Sequence, residues 1–77
     1  MEINEFVEKF ASQVDEVNTL ILKPDTKFRD IEEWSSLIAL SVIAMVDEEY
    51  KIKLTGEDIR SSQTILDIFN VIKSKSR

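Results

Sequence analysis

A chain of 77 residues with one glycine and one proline has almost no material for hairpins, and that scarcity most limits what it can fold into. Tight two-residue turns between strands draw on Gly, Asn and Asp, and strand-rich domains need several of them. The expectation is helices joined by irregular connections. Hydrophobic residues at 43% and charged residues at 32% place the chain among globular proteins rather than disordered ones. Its length suits a single domain spanning 1–77, near the lower limit of what one core stabilises.

Hydrophobic spacing locates the helices. Ile3, Phe6, Val7, Phe10, Ala11, Val14 and Val17 recur at i, i+3, i+4 and i+7, which predicts an amphipathic helix of about four turns. Glu2 and Glu5 suit its N-terminal end, and Asn18 is suited to end it in the left-handed conformation. The next stretch, TLILKPDTKFRDIEEW, is long for a loop. Leu20, Leu22, Phe28, Ile31 and Trp34 supply apolar anchors, so it reads as an ordered loop lying over the core.

A second helix is predicted from Ser36 to Tyr50. Between Leu37 and Val46 only Ser41 is not apolar. At 100° per residue, Ala39, Val42, Ile43, Val46 and Tyr50 share one face. Leu37, Leu40, Ser41, Ala44 and Glu48 share a roughly opposite one. Such a helix is either central in the core or turns one face to a partner, and burial is the safer expectation without context. After Asp47, Glu48 and Glu49, the segment KIKL alternates Ile52 and Leu54 into an extended connection. Thr55 with Asp58 fits a capping box for a short helix through Arg60, and Thr64 with Asp67 repeats it for a last helix. Ile65, Ile68, Phe69 and Ile72 form the buried stripe of that helix. The fold class expected is all-α: a bundle of three main helices and one short one.

Composition also narrows function. The chain has no histidine and no cysteine, so a histidine-activated nucleophile, a thiolate zinc site and a disulfide framework are all excluded. The segment from Asp25 has Lys27 where a calcium loop needs an oxygen ligand, and no metal site is expected. A chain this small has little room for a hydrolytic cleft around paired carboxylates, and we do not expect an enzyme. The net charge of −5 disfavours nucleic acid and suits basic protein partners. Lys73, Lys75 and Arg77 sit where a helix C-terminus favours cations. No apolar run reaches the ~20 residues that cross a bilayer. The opening MEINEFVEKF is acidic and amphipathic where a signal peptide would be apolar, so the expectation is a soluble, cytoplasmic monomer.

With so little reactive chemistry available, the serine pair in EEWSSLIAL stands out. Serine is a good N-cap, and capping is the plain explanation for it. From Phe28 to Leu54, however, the stretch FRDIEEWSSLIALSVIAMVDEEYKIKL resembles acyl carrier proteins. Members of that family have a phenylalanine, then leucine or isoleucine, then Asp-Ser-Leu opening a helix that ends in acids, an aromatic residue and a short apolar connection. Thr64, Ile65, Asp67 and Ile68 resemble the start of the family's last helix, so the resemblance covers nearly the whole chain in element order and spacing.

The resemblance implies that Ser36 carries a covalent 4′-phosphopantetheine arm, followed by the matching Leu37. It implies that Leu37, Leu40, Ala44, Met45, Asp47 and Glu48 form an acid-edged apolar surface. The partners implied are a phosphopantetheinyl transferase and acyl-transfer and condensing enzymes with basic docking patches, in fatty-acid, lipid or polyketide biosynthesis. The chain departs from the family at Ser35, where carriers have the aspartate that helps the transferase bind its metal. It departs again at Ser41, where housekeeping fatty-acid carriers commonly have glutamate; with Trp34, this points to a specialised pathway. A stand-alone peptidyl carrier and an unmodified carrier-like interaction module remain the alternatives.

Overall fold

The computed structural model describes residues 2–14 and 22–76. The described residues form four helices, α1 (Ile3–Val14), α2 (Ser36–Tyr50), α3 (Gly56–Arg60) and α4 (Ile65–Lys75), with a 3-10 turn at Phe28–Asp30. This is the small all-α bundle expected. The expectations for Val17, Asn18, Leu20 and Arg77 lie outside the described residues.

Each helix buries the stripe its spacing dictates. Phe6, Val7, Phe10, Ala11 and Val14 of α1 are buried, as are Ile65, Ile68, Phe69 and Ile72 of α4. Val42, Met45 and Val46 of α2 join them, with Ile52 and Leu54 from the extended connection and Ile59 from α3. Both capping boxes are formed. Thr55 accepts from the Asp58 N–H and Thr64 from the Asp67 N–H, while each aspartate accepts in return from the capping residue's own N–H. Four otherwise unpaired N–H groups at helix starts are thereby satisfied. α2 ends on Lys51, whose φ of 59° is left-handed, and its N–H closes the helix on the Asp47 carbonyl. A non-glycine residue rarely adopts this conformation.

The described part of the loop before α2, from Leu22 to Ser35, is more regular than its sequence suggests. Phe28 is fully buried within the 3-10 turn. Lys27 forms an isolated antiparallel bridge with Thr64. The Ile65 N–H donates to the Thr26 carbonyl at 3.1 Å, and the Leu66 N–H to the Pro24 carbonyl at 2.8 Å. Trp34 stacks on Phe10, with rings 5.8 Å apart and 1° from parallel, and lies 4.8 Å from Phe28. This aromatic anchor fixes the point where α2 begins.

Candidate functional site

Trp34 is half-buried against the core, and the serine pair follows it at the surface. Ser35 is the N-cap of α2; its Oγ accepts from the Ile38 N–H at 3.3 Å. Ser36 occupies the first helical position and is exposed. Capping and exposure are thus divided between the two hydroxyls. The Ser35 oxygen holds the helix start, while no hydrogen bond to another described residue occupies the Ser36 hydroxyl.

Beside Ser36 a cleft of about 600 Å³ opens between α2 and α3. α2 contributes Ser36, Ala39, Leu40 and Ile43; α3 contributes Gly56, Ile59 and Arg60; Arg29, Trp34 and Ser35 complete the lining. A smaller hollow of about 210 Å³ shares Leu40 and Ile43 and reaches Leu54, Asp47 and Lys53. The two spaces make one mostly apolar path down the side of α2. The bundle interior, by contrast, is filled by Phe6, Phe10, Phe28, Val42, Val46, Ile65, Ile68 and Ile72, all at 0% exposure.

Arg29 holds one end of the α3 wall. Its guanidinium donates to the carbonyls of Arg60, at 2.8 Å, and of Ile59 and Ser62. These carbonyls lie at and just beyond the C-terminal end of α3, where cations are favoured, and that of Ile59 also accepts from the Ser62 N–H. Toward the other end, Lys75 pairs with Asp58 at 2.9 Å and donates to the Lys53 carbonyl at 3.2 Å. Partial burial would push the Asp58 carboxyl up, but the Thr55 N–H and the Lys75 ammonium outweigh it and hold it below the usual carboxylate range.

The outer face of α2 is open rather than buried. Leu37 is 75% exposed and Leu40 62%, with Ser41, Ala44, Asp47 and Glu48 exposed around them. Burial of both faces, the safer expectation from sequence alone, therefore does not hold. Met45 is a correction in the other direction. It is 7% exposed and belongs to the core, not to the surface stripe. Counted at 3.6 residues per turn it lies about 80° around from Leu37, which carries it toward Ile38 and Val42.

Sequence reasoning did not find Arg29, Gly56, Ile59 or Arg60 as cleft residues. Gly56 carried a signal, as the chain's single glycine. Arg29 carried none, because its partners lie about thirty positions away and meet it only in the folded chain. Among the described residues no three His, Cys, Asp or Glu side chains are grouped to hold a metal ion, and no helix is long and apolar enough to cross a membrane. No protein-family model matches the chain. No solved structure matches it at a significant level.

Proposed function

We propose that the chain is an acyl carrier, with Ser36 as the attachment point for a 4′-phosphopantetheine arm. The observation that carries this reading is the placement of Ser36: an exposed hydroxyl in the first turn of a fifteen-residue helix, at the mouth of an apolar cleft. A phosphodiester there is an anion at the positive end of a helix dipole, which favours it. The residues present fit the group. The first turn of α2 suits the phosphate, Arg29 adds positive charge to the same cleft while Arg60 beside it is paired with Glu57, and the apolar lining suits an acyl chain.

When attached, the arm supplies the thiol on which an acyl group is held as a thioester. The chain's own residues do the rest. Ser35 fixes the helix start on which Ser36 stands exposed. The cleft excludes water from one side of a cargo laid along it. Leu37, Leu40 and Ala44 give partner enzymes an apolar contact edged by Asp47 and Glu48, for which basic patches are the complement. The partners on this reading are a phosphopantetheinyl transferase and acyl-transfer or condensing enzymes of fatty-acid, lipid or polyketide synthesis, met by a monomer in the cytoplasm.

One observation favours a second reading. Ser35 stands where the resemblance calls for a metal-binding aspartate, as it would in a carrier-like module that has lost its arm. Intact mass separates the two. Incubated with a broad-specificity transferase and coenzyme A, the protein gains one phosphopantetheine, which fragmentation maps to Ser36, and Ser36→Ala gains none. An unchanged wild-type mass supports the unmodified module, and addition at Ser35 refutes the assignment.

A further inference from the structure

Two cations line the cleft beside Ser36, and they are held differently. Arg60 is paired with the Glu57 carboxylate at 2.8 Å. Arg29 has no carboxylate partner among the described residues; even Asp30, next to it in the chain, forms no ion pair with it. Its acceptors are the neutral carbonyls of Ile59, Arg60 and Ser62, and all three bonds leave from one nitrogen, Nη2. No described residue accepts from Nε or Nη1. Its Cζ lies 5.4 Å from the centre of the buried Phe28 ring, so one face of the guanidinium is braced as well.

Arg29 is thus a positive charge fixed in place but not neutralised. Holding the end of α3 accounts for Nη2, and a lysine ammonium supplies donors for that as well. It does not account for a planar group with donors left over. A guanidinium already locked at one nitrogen loses little further freedom when another receives an oxyanion. Its bonds to an anion are also stronger than its bonds to carbonyls. We propose that Arg29 is an anion-binding residue for the arm: Nε or Nη1 donates to a non-bridging oxygen of the phosphodiester at Ser36 and sets the direction in which the arm leaves α2. This rests on the carrier reading, which supplies the phosphate. One guanidinium then ties the arm to the end of α3.

The test needs no transferase, because the chain has no cysteine. Ser36→Cys introduces a single thiol, which sulfite and tetrathionate convert to the S-sulfonate. Its sulfur stands two bonds from Cβ, as the phosphorus of the arm does, and its oxygens carry a single negative charge in place of the phosphodiester's. Methyl methanethiosulfonate gives a neutral methylthio adduct for comparison. The S-sulfonate should melt higher than the methylthio adduct at low salt, by a gap that narrows as salt is added. Arg29→Gln should cut that gap by more than half, Arg29→Lys should restore part of it, and Arg60→Gln should leave it unchanged. Loss of the tether to α3 lowers both adducts alike, so a merely structural Arg29 leaves the gap as it was. What remains in Arg29→Gln belongs to the helix dipole. Should Arg29→Gln fail to fold, the Arg29 Nε–H resonance answers without that variant: it should move between the methylthio adduct and the S-sulfonate. No gap, an equal gap in Arg29→Gln, a gap that follows Arg60 instead, or an Arg29 resonance indifferent to the charge at position 36 overturns the inference. The two readings fail separately. A protein that loads at Ser36 but shows no Arg29 dependence remains a carrier with an untethered arm. One that never loads yet shows that dependence keeps its anion site and loses its arm.

Discussion

At the scale of single residues, the serine pair shows a division of labour that the sequence suggested and the geometry makes specific. The Ser35 oxygen accepts from the Ile38 N–H, leaving a position where serine and aspartate are near-equal caps. Ser35→Asp should therefore change stability by no more than about 1 kcal/mol, helped slightly by the helix dipole. On the carrier reading, a carboxylate beside Ser36 is also a hard oxygen ligand of the kind magnesium takes. Loading rates from a broad-specificity transferase should rise in Ser35→Asp, whereas Ser35→Ala should melt lower and load no faster than wild type. Equal rates for wild type and Ser35→Asp would show that the carboxylate is irrelevant to the transferase. The caps were legible in the sequence because they depend on residues three apart. Arg29 was illegible because its three acceptors are backbone atoms of a distant segment, and no side-chain pattern marks them.

At the scale of elements, α2 was legible from end to end: its bounds and the division into two faces agree with the spacing of its residues. Its second face was harder to place, because apolar periodicity does not distinguish a face covered by the chain itself from one left open. The folded chain leaves Leu37 and Leu40 bare and draws Met45 inward. On the carrier reading this face meets partner enzymes, and Asp47 and Glu48 at its lower end steer the encounter. Exposed charges act over a Debye length of about 8 Å at physiological ionic strength and are screened by added salt. Replacing both acids with lysine should slow acyl transfer to a partner synthase and remove most of its salt dependence, with helicity by circular dichroism unchanged. Transfer that is insensitive to salt in the wild type would place the docking surface elsewhere. The 3-10 turn at Phe28–Asp30 was not legible, since three residues are too few to establish a period.

At the scale of the whole molecule, acid should loosen the fold from the α3 and α4 starts. Asp58 and Asp67 are both held below the usual carboxylate range. In Asp67 the N–H groups of Thr64 and Gln63 lead; in Asp58 the Thr55 N–H and Lys75 overcome the opposing effect of burial. A carboxyl depressed in the folded state contributes stability that is complete above its unfolded value, about pH 3.9, and is lost as pH falls through the lower folded value. Thermal melts should accordingly be flat in pH near neutrality and steepen below about pH 4. Asp58→Asn and Asp67→Asn should each lower the neutral melting temperature and reduce that acid slope; an unchanged slope in both would locate the acid sensitivity in other carboxyls.

The seam between the loop and α4 has a topological consequence. Lys27 meets Thr64, and the first N–H groups of α4 close on Thr26 and Pro24, so the chain from 28 to 63 leaves and returns at one point. Arg29, Trp34, the serine pair, α2 and α3 all lie on that single excursion, while α1 and α4 form the platform beneath it. The candidate site is thus a lasso tied at its neck. Because closure entropy grows only slowly with length, doubling a flexible loop costs only about 0.6 kcal/mol. Insertions within its exposed connections can reshape the site while the platform keeps its own register.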